Sequence, residues 1–222
     1  MNSSTAQFIE KNKLIVICRG IYGDNLLNLS QALYEGGIRL IEVTFDQANP
    51  DCMEKTKQAI SALKNKHQDA MLIGAGTVLS PLQVECAYNA GASYIISPNV
   101  NPAVIKKTKE LELISIPGAM TPTEILYASE LGADFVKLFP ATTLGMRYIK
   151  DIRGPINHIK LVAAGGVTEE NLPEYLNLHF AGAGISNRLT DPTLIAENNF
   201  AEFTRRAKVF VDIVKNKGVS KN

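Results

Sequence analysis

Eight short apolar runs, each followed by a longer amphipathic stretch, set the narrowest limit on how this chain folds. The runs lie at residues 14–18, 39–43, 71–75, 94–97, 113–116, 135–138, 159–163 and 181–184. Helical patterns follow at 25–35, 51–66, 81–90, 102–109, 122–131, 146–152, 169–176 and 201–215. The runs are too short for helices, and the stretches between them repeat with a period near 3.6. A further short helix is expected over about 3–12, and a frayed tail over about 217–222.

Turn chemistry agrees with this division. Ser80-Pro81, Asn101-Pro102 and Thr121-Pro122 each place a capping side chain before a proline that opens a helix. Gly36-Gly37, Gly91 and Gly132 stand where helices end and the chain turns back toward a strand. No Pro/Gly/Ser-rich linker divides the eight units, so one domain is expected. Strands that are apolar throughout, alternating with helices, imply a parallel sheet covered on both faces. Eight such units imply an α/β fold of the closed (β/α)8 or TIM barrel type. The competing open doubly wound sheet carries a Gly-rich dinucleotide loop after its first strand. Here Arg19-Gly20-Ile21-Tyr22-Gly23 lacks that spacing.

Charge and cysteine usage narrow the partners. A net charge of +1 gives no global field for nucleic acid or an anionic membrane. The first residues carry Glu10, Lys11 and Lys13 and form neither a signal peptide nor a span. Cys18, Cys52 and Cys86 are odd in number and far apart, which argues for a reducing, cytoplasmic setting. His67, His158 and His179 have no ligand-like spacing, so no metal is expected.

In a barrel, chemistry gathers at the C-terminal strand ends. Those ends carry Arg19, Glu42 with Thr44, Gly74-Ala75-Gly76-Thr77, Ser97-Pro98, Lys137, Gly165-Gly166 and Gly184-Ile185-Ser186. Lys137 is the sharpest of these, because Phe135, Val136, Leu138 and Phe139 surround it. An apolar setting disfavours an ammonium ion and favours a neutral amine that attacks carbonyls. An ordinary strand lysine instead packs its stem and sends its head to solvent. Glu42 shares a face with Leu40, which makes it a carboxylate above an apolar layer and a candidate general acid/base. The bland alternative is an ion pair with Arg19 or Lys137. Arg19 offers a bidentate carboxylate clamp. Thr77 offers a hydroxyl and turn amides for an anionic oxygen. Gly165-Gly166 lets backbone amides approach an anion, although a plain helix-start turn uses glycines too.

Six motifs in order now carry a resemblance. They are Gly37 to Thr44, Ile73 to Val78, Ile96-Ser97-Pro98, Ile116-Pro117-Gly118, Val136 to Ala141 and Gly165-Gly166-Val167. Together they resemble the KDPG/KHG aldolases, class I enzymes acting on 2-keto-3-deoxy-6-phosphogluconate and 4-hydroxy-2-oxoglutarate. The resemblance implies a homotrimer of (β/α)8 barrels, without cofactor, in carbohydrate metabolism of the Entner–Doudoroff type. It assigns Lys137 to a Schiff base with a 2-keto acid and Glu42 to proton transfer through water. It places Arg19 and Thr77 on the pyruvate carboxylate, Pro98 and Phe139 in the pocket wall, and Gly165 and Gly166 on a distal phosphate.

Three segments depart from the family pattern. Ala163-Ala164 stands where many relatives have Pro-Thr, a threonine that the galactonate-type members also lack. Phe45-Asp46-Gln47 lacks the arginine that some relatives place there. Ser186-Asn187 stands where the family has Gly-Ser. These changes weaken the case for a phosphorylated substrate and leave the lysine chemistry intact. The rival readings are a non-catalytic sugar-acid binding protein and a barrel isomerase or epimerase, neither of which needs the Schiff-base lysine.

Overall fold

The computed structural model describes residues 2–219. The first half runs α1 (Asn2–Asn12), β1 (Leu14–Cys18), α2 (Gly23–Glu35), β2 (Leu40–Thr44), α3 (Cys52–His67), β3 (Leu72–Gly76), α4 (Pro81–Asn89), β4 (Tyr94–Ile96) and α5 (Pro102–Glu110). The second runs β5 (Ile114–Ile116), β6 (Gly118–Ala119), α6 (Pro122–Glu130), β7 (Val136–Leu138), α7 (Ala141–Arg153), β8 (Leu161–Ala164), α8 (Leu172–Asn177), β9 (Gly182–Ile185), α9 (Pro192–Ala196) and α10 (Phe200–Val219). Of the tail expected to fray, 217–219 continue α10, and 220–222 lie outside the described residues.

The expected caps form. Ser80 accepts from the Gln83 amide, Asn101 from those of Ala103 and Val104, and Thr121 completes a capping box with Glu124. Each cap fixes where a helix leaves its loop and therefore how the next strand is aimed.

Every strand pairing is parallel, in the order β5-β4-β3-β2-β1-β9-β8-β7-β6. The two ends of this order are one continuous segment. β5 pairs with β4 through Ile96 and Ile116, and β6 pairs with β7 through Gly118 and Lys137. Pro117 separates them because it has no N–H to donate to a ladder. Its carbonyl still accepts from the Lys137 amide at 2.8 Å. The strand expected at 113–116 is thus two short strands split at a proline, and through it the barrel closes.

The interior is layered. Ile15, Leu40, Tyr94, Ile114, Phe135 and Val162 fill its lower part, and Ile9 of α1 plugs it from below. A second cluster, with Val16, Ile41, Val43, Ala75, Leu138 and Ala183, packs the outer strand faces against the helices. Adjacent strand residues belong to different clusters, so alternation decides what faces inward. Leu40 is inside, and therefore Glu42 and Thr44 are inside above it.

One link between helices is pH-sensitive. Ser30 donates to the Leu27 carbonyl at 2.8 Å and accepts from His67 Nε2, also at 2.8 Å. Burial, with Lys66 nearby, holds the His67 pKa below its ordinary 6.5. The unfolded chain therefore binds this proton more readily, and stability falls as pH drops through 6.5. Thermal melts should show the native protein losing this part of its stability from pH 7 to 5, while His67→Gln does not.

Candidate active site

A cavity of about 810 Å³ opens at the C-terminal mouth of the barrel. Arg19 after β1, Thr77 after β3, Pro98 after β4, Lys137 on β7, Phe139 beyond it and Gly165 after β8 all line it. The structure therefore brings six of the eight candidate residues into one wall. Glu42 lies beneath that wall, and Gly166 lies one residue past it, against Thr142.

Glu42 and Lys137 face each other across the barrel axis. With β5 and β6 counted as one strand, β2 and β7 are four steps apart in either direction round the sheet. Glu42 is 2% exposed and Lys137 is 9% exposed. Among the described residues neither side chain forms an ion pair. This removes the simple structural reading in which the two neutralise each other by direct contact. The Lys137 Nζ instead lies 4.8 Å from the centroid of the Phe139 ring. That contact with the ring face holds the side-chain nitrogen beside the cavity.

Burial raises the Glu42 carboxyl above its ordinary 4.5, while Lys137 and then Arg19 pull it back. A buried carboxyl with a raised pKa can exchange a proton near neutral pH. The same burial, with the Glu42 charge nearby, pushes Cys18 up to about 12, so this thiol is inert at neutral pH. Tyr94 is pushed well above 10 for the same two reasons, and its hydroxyl donates to the Ile41 carbonyl at 2.7 Å.

Glycine makes room for this chemistry. A Cβ on Gly76 would fall on the Glu42 carboxylate. Gly76 lacks a left-handed φ, so alanine fits the backbone and the clash is with the side chain alone. Gly76→Ala should therefore keep the barrel at a cost of about 1–3 kcal/mol while displacing Glu42. Any catalytic rate that depends on the Glu42 carboxylate should drop by about 10–100-fold, as steady-state kinetics beside a thermal melt would show.

Thr77 is held in an unusual conformation. Its φ is 56°, a region that β-branched residues rarely enter. Gln47 Nε2 donates to its carbonyl at 2.7 Å. Gln83 Nε2 donates to Gln47 Oε1 at 2.9 Å, and Gln83 Oε1 accepts from the Leu79 amide at 2.7 Å. Two side-chain amides thus brace the turn that presents the Thr77 hydroxyl.

The opposite wall is polar and uncharged. Ser186, Asn187 and Thr190 line it beside Ala164 and Gly165. Arg188 is turned aside in a two-pronged pair with Glu169, at 2.8 and 3.0 Å. Tyr22, Asn25, Thr190 and Ile195 also line the cavity and were not singled out from the sequence. The last two are brought there by α9, whose Asp191-Pro192 start repeats the signature at Ser80-Pro81.

Among the described residues, no three His, Cys, Asp or Glu side chains group as a metal site. No helix among them is long and apolar enough to cross a membrane.

A closed parallel barrel with an amine and a buried carboxylate opposed at its C-terminal mouth defines a (β/α)8-barrel enzyme. The chain belongs to the KDPG and KHG aldolase family, whose model matches residues 6–206. The activity of that family is carbon–carbon lysis by an aldolase. The 2-dehydro-3-deoxy-6-phosphogalactonate aldolase of Escherichia coli (strain K12) is 35% identical over 184 residues, or 82% of this chain and 87% of that one. The 2-dehydro-3-deoxy-phosphogluconate aldolase of Haemophilus influenzae is 32% identical over 219 residues, or 97% and 100% of the two chains. The KDPG aldolase of Legionella pneumophila, solved with pyruvate captured as a covalent carbinolamine, has a TM-score of 0.81 at 28% identity, covering 92% of this chain and 96% of that one.

Proposed function

We propose that this aldolase works through a Schiff base on Lys137 and cleaves a 2-keto-3-deoxy acid to pyruvate and an aldehyde. The observation that carries the reading is the opposition of Lys137 and Glu42 at the cavity without an ion pair between them. The captured pyruvate adduct of the Legionella relative supports it by analogy.

Lys137 Nζ attacks the C2 carbonyl, and loss of water gives a protonated imine. The Glu42 carboxylate takes the C4 hydroxyl proton through a water. The C3–C4 bond breaks, and its electron pair becomes the C2–C3 double bond as the iminium nitrogen takes back its own pair. The aldehyde departs and an enamine of pyruvate remains. Protonated Glu42 returns its proton to C3, and water releases pyruvate and the free amine. Arg19 and Thr77 hold the pyruvate carboxylate, Pro98 and Phe139 shape the walls, and Gly165 and Gly166 offer amides to the distal end.

The distal wall favours a hydroxylated end over a phosphate dianion. Arg19 and Lys137 are the cations that line the cavity, and both serve the keto-acid half. Asp46 lies close by, at the mouth beside Arg19 and Thr77, and Arg188 is engaged by Glu169. A retro-aldol panel tests this. It compares phosphorylated and non-phosphorylated 2-keto-3-deoxy acids, both C4 epimers, and 4-hydroxy-2-oxoglutarate. The non-phosphorylated sugar acids should give the highest kcat/KM, and a marked preference for the phosphorylated ones contradicts the reading. A homotrimer belongs to the same proposal, and sedimentation equilibrium measures it.

A further inference from the structure

Thr44 is the last residue of β2, on the inward face above Leu40 and Glu42. It is 1% exposed, and its hydroxyl has no hydrogen-bond partner among the described residues. Two other buried hydroxyls, Tyr22 and Thr56, lie beside each other where α2 meets α3 and interact with one another. Thr44 alone of the three stands on the inward face of a barrel strand. A buried hydroxyl left unpaired is unfavourable, and valine has the same shape without that penalty.

Its neighbours indicate the use. Thr44 pairs in register with Gly76, and the Glu42 carboxylate occupies the space where a Gly76 side chain would stand. Hydroxyl and carboxylate therefore flank the same glycine, next to the Thr77 turn, without bonding to each other. Such a pair can grip one small polar molecule between them.

We propose that Thr44 is a positioning residue for the proton step, holding the water that connects Glu42 to the substrate. This rests on the acid/base role proposed for Glu42. During cleavage that water receives the C4 hydroxyl proton and passes one of its own to Glu42. Its remaining hydrogen bonds to Thr44 Oγ, which neither gains nor loses a proton. The reverse relay delivers the proton from Glu42 to C3 of the enamine.

Thr44→Val and Thr44→Ser test this, with retro-aldol kinetics, deuterium exchange at C3 of pyruvate and thermal melts on the full chain. Thr44→Val should lower kcat and the exchange rate by about 10–100-fold with KM within about twofold. Its melting temperature should be unchanged or higher, because an unpaired polar atom has been removed. Thr44→Ser should restore most of the rate. Native rates and an unaltered pH profile in Thr44→Val overturn the proposal. So do equal losses in both variants accompanied by a lower melting temperature. Absence of C3 exchange in the unsubstituted protein would instead sink the Schiff-base reading, and this proposal with it.

Discussion

Lys137→Arg should retain the fold and lose the reaction. Arginine keeps a positive charge near Phe139 but does not form an imine under these conditions. The expected loss in kcat/KM is on the order of 10,000-fold, or about 5.4 kcal/mol of transition-state stabilisation. Lys137→Ala should lose as much activity and reveal one thing more. Lys137 is the larger of the two charges that pull the Glu42 carboxyl down. Removing it leaves burial less opposed, so Glu42 should titrate higher in Lys137→Ala than in Lys137→Arg. A carboxyl-observing NMR titration of the two variants measures that difference. Equal titration would mean that Lys137 does not act on Glu42 across the barrel.

Glu42→Gln should separate stability from activity in opposite directions. The amide keeps the shape and cannot take a proton, so cleavage should fall by about 100–10,000-fold. The native rate should rise with pH as Glu42 ionises, on a limb displaced above 4.5, and the variant should lack that limb. Stability should move the other way. The folded state holds the Glu42 proton more tightly than the unfolded chain does, so ionising it favours unfolding. Below the unfolded pKa, native and variant should melt alike. As pH rises from 4.5 through the folded pKa, the native protein should lose stability that Glu42→Gln keeps. A variant less stable than native at pH 7 would show that the carboxylate makes a stabilising contact.

The sequence shows most of the barrel because its strands are short apolar runs bounded by glycine and proline. The bounds of β1 match outright, and those of β2 and β3 shift by a single residue. β6 is hidden because two residues, Gly118 and Ala119, are too few to show a period. The start of α7 is hidden because Gly145, at φ 72°, interrupts the helical repeat between Ala141 and Met146. α9 was within reach, because Asp191-Pro192 is a helix start of the kind recognised elsewhere. In the site, period-two alternation was enough to put Glu42 and Lys137 at strand positions facing one rim. Their opposition across the axis was not legible, because it depends on barrel closure through Pro117. The brace from Gln47 and Gln83 to Thr77 spans 30 and 36 residues and follows no local pattern.

Borohydride reduction in the presence of pyruvate, followed by peptide mass mapping, tests the central claim most directly. The account predicts a reduced pyruvyl adduct on the peptide that contains Lys137, and its loss in Lys137→Ala. No adduct on the native protein, or an undiminished one in Lys137→Ala, contradicts it.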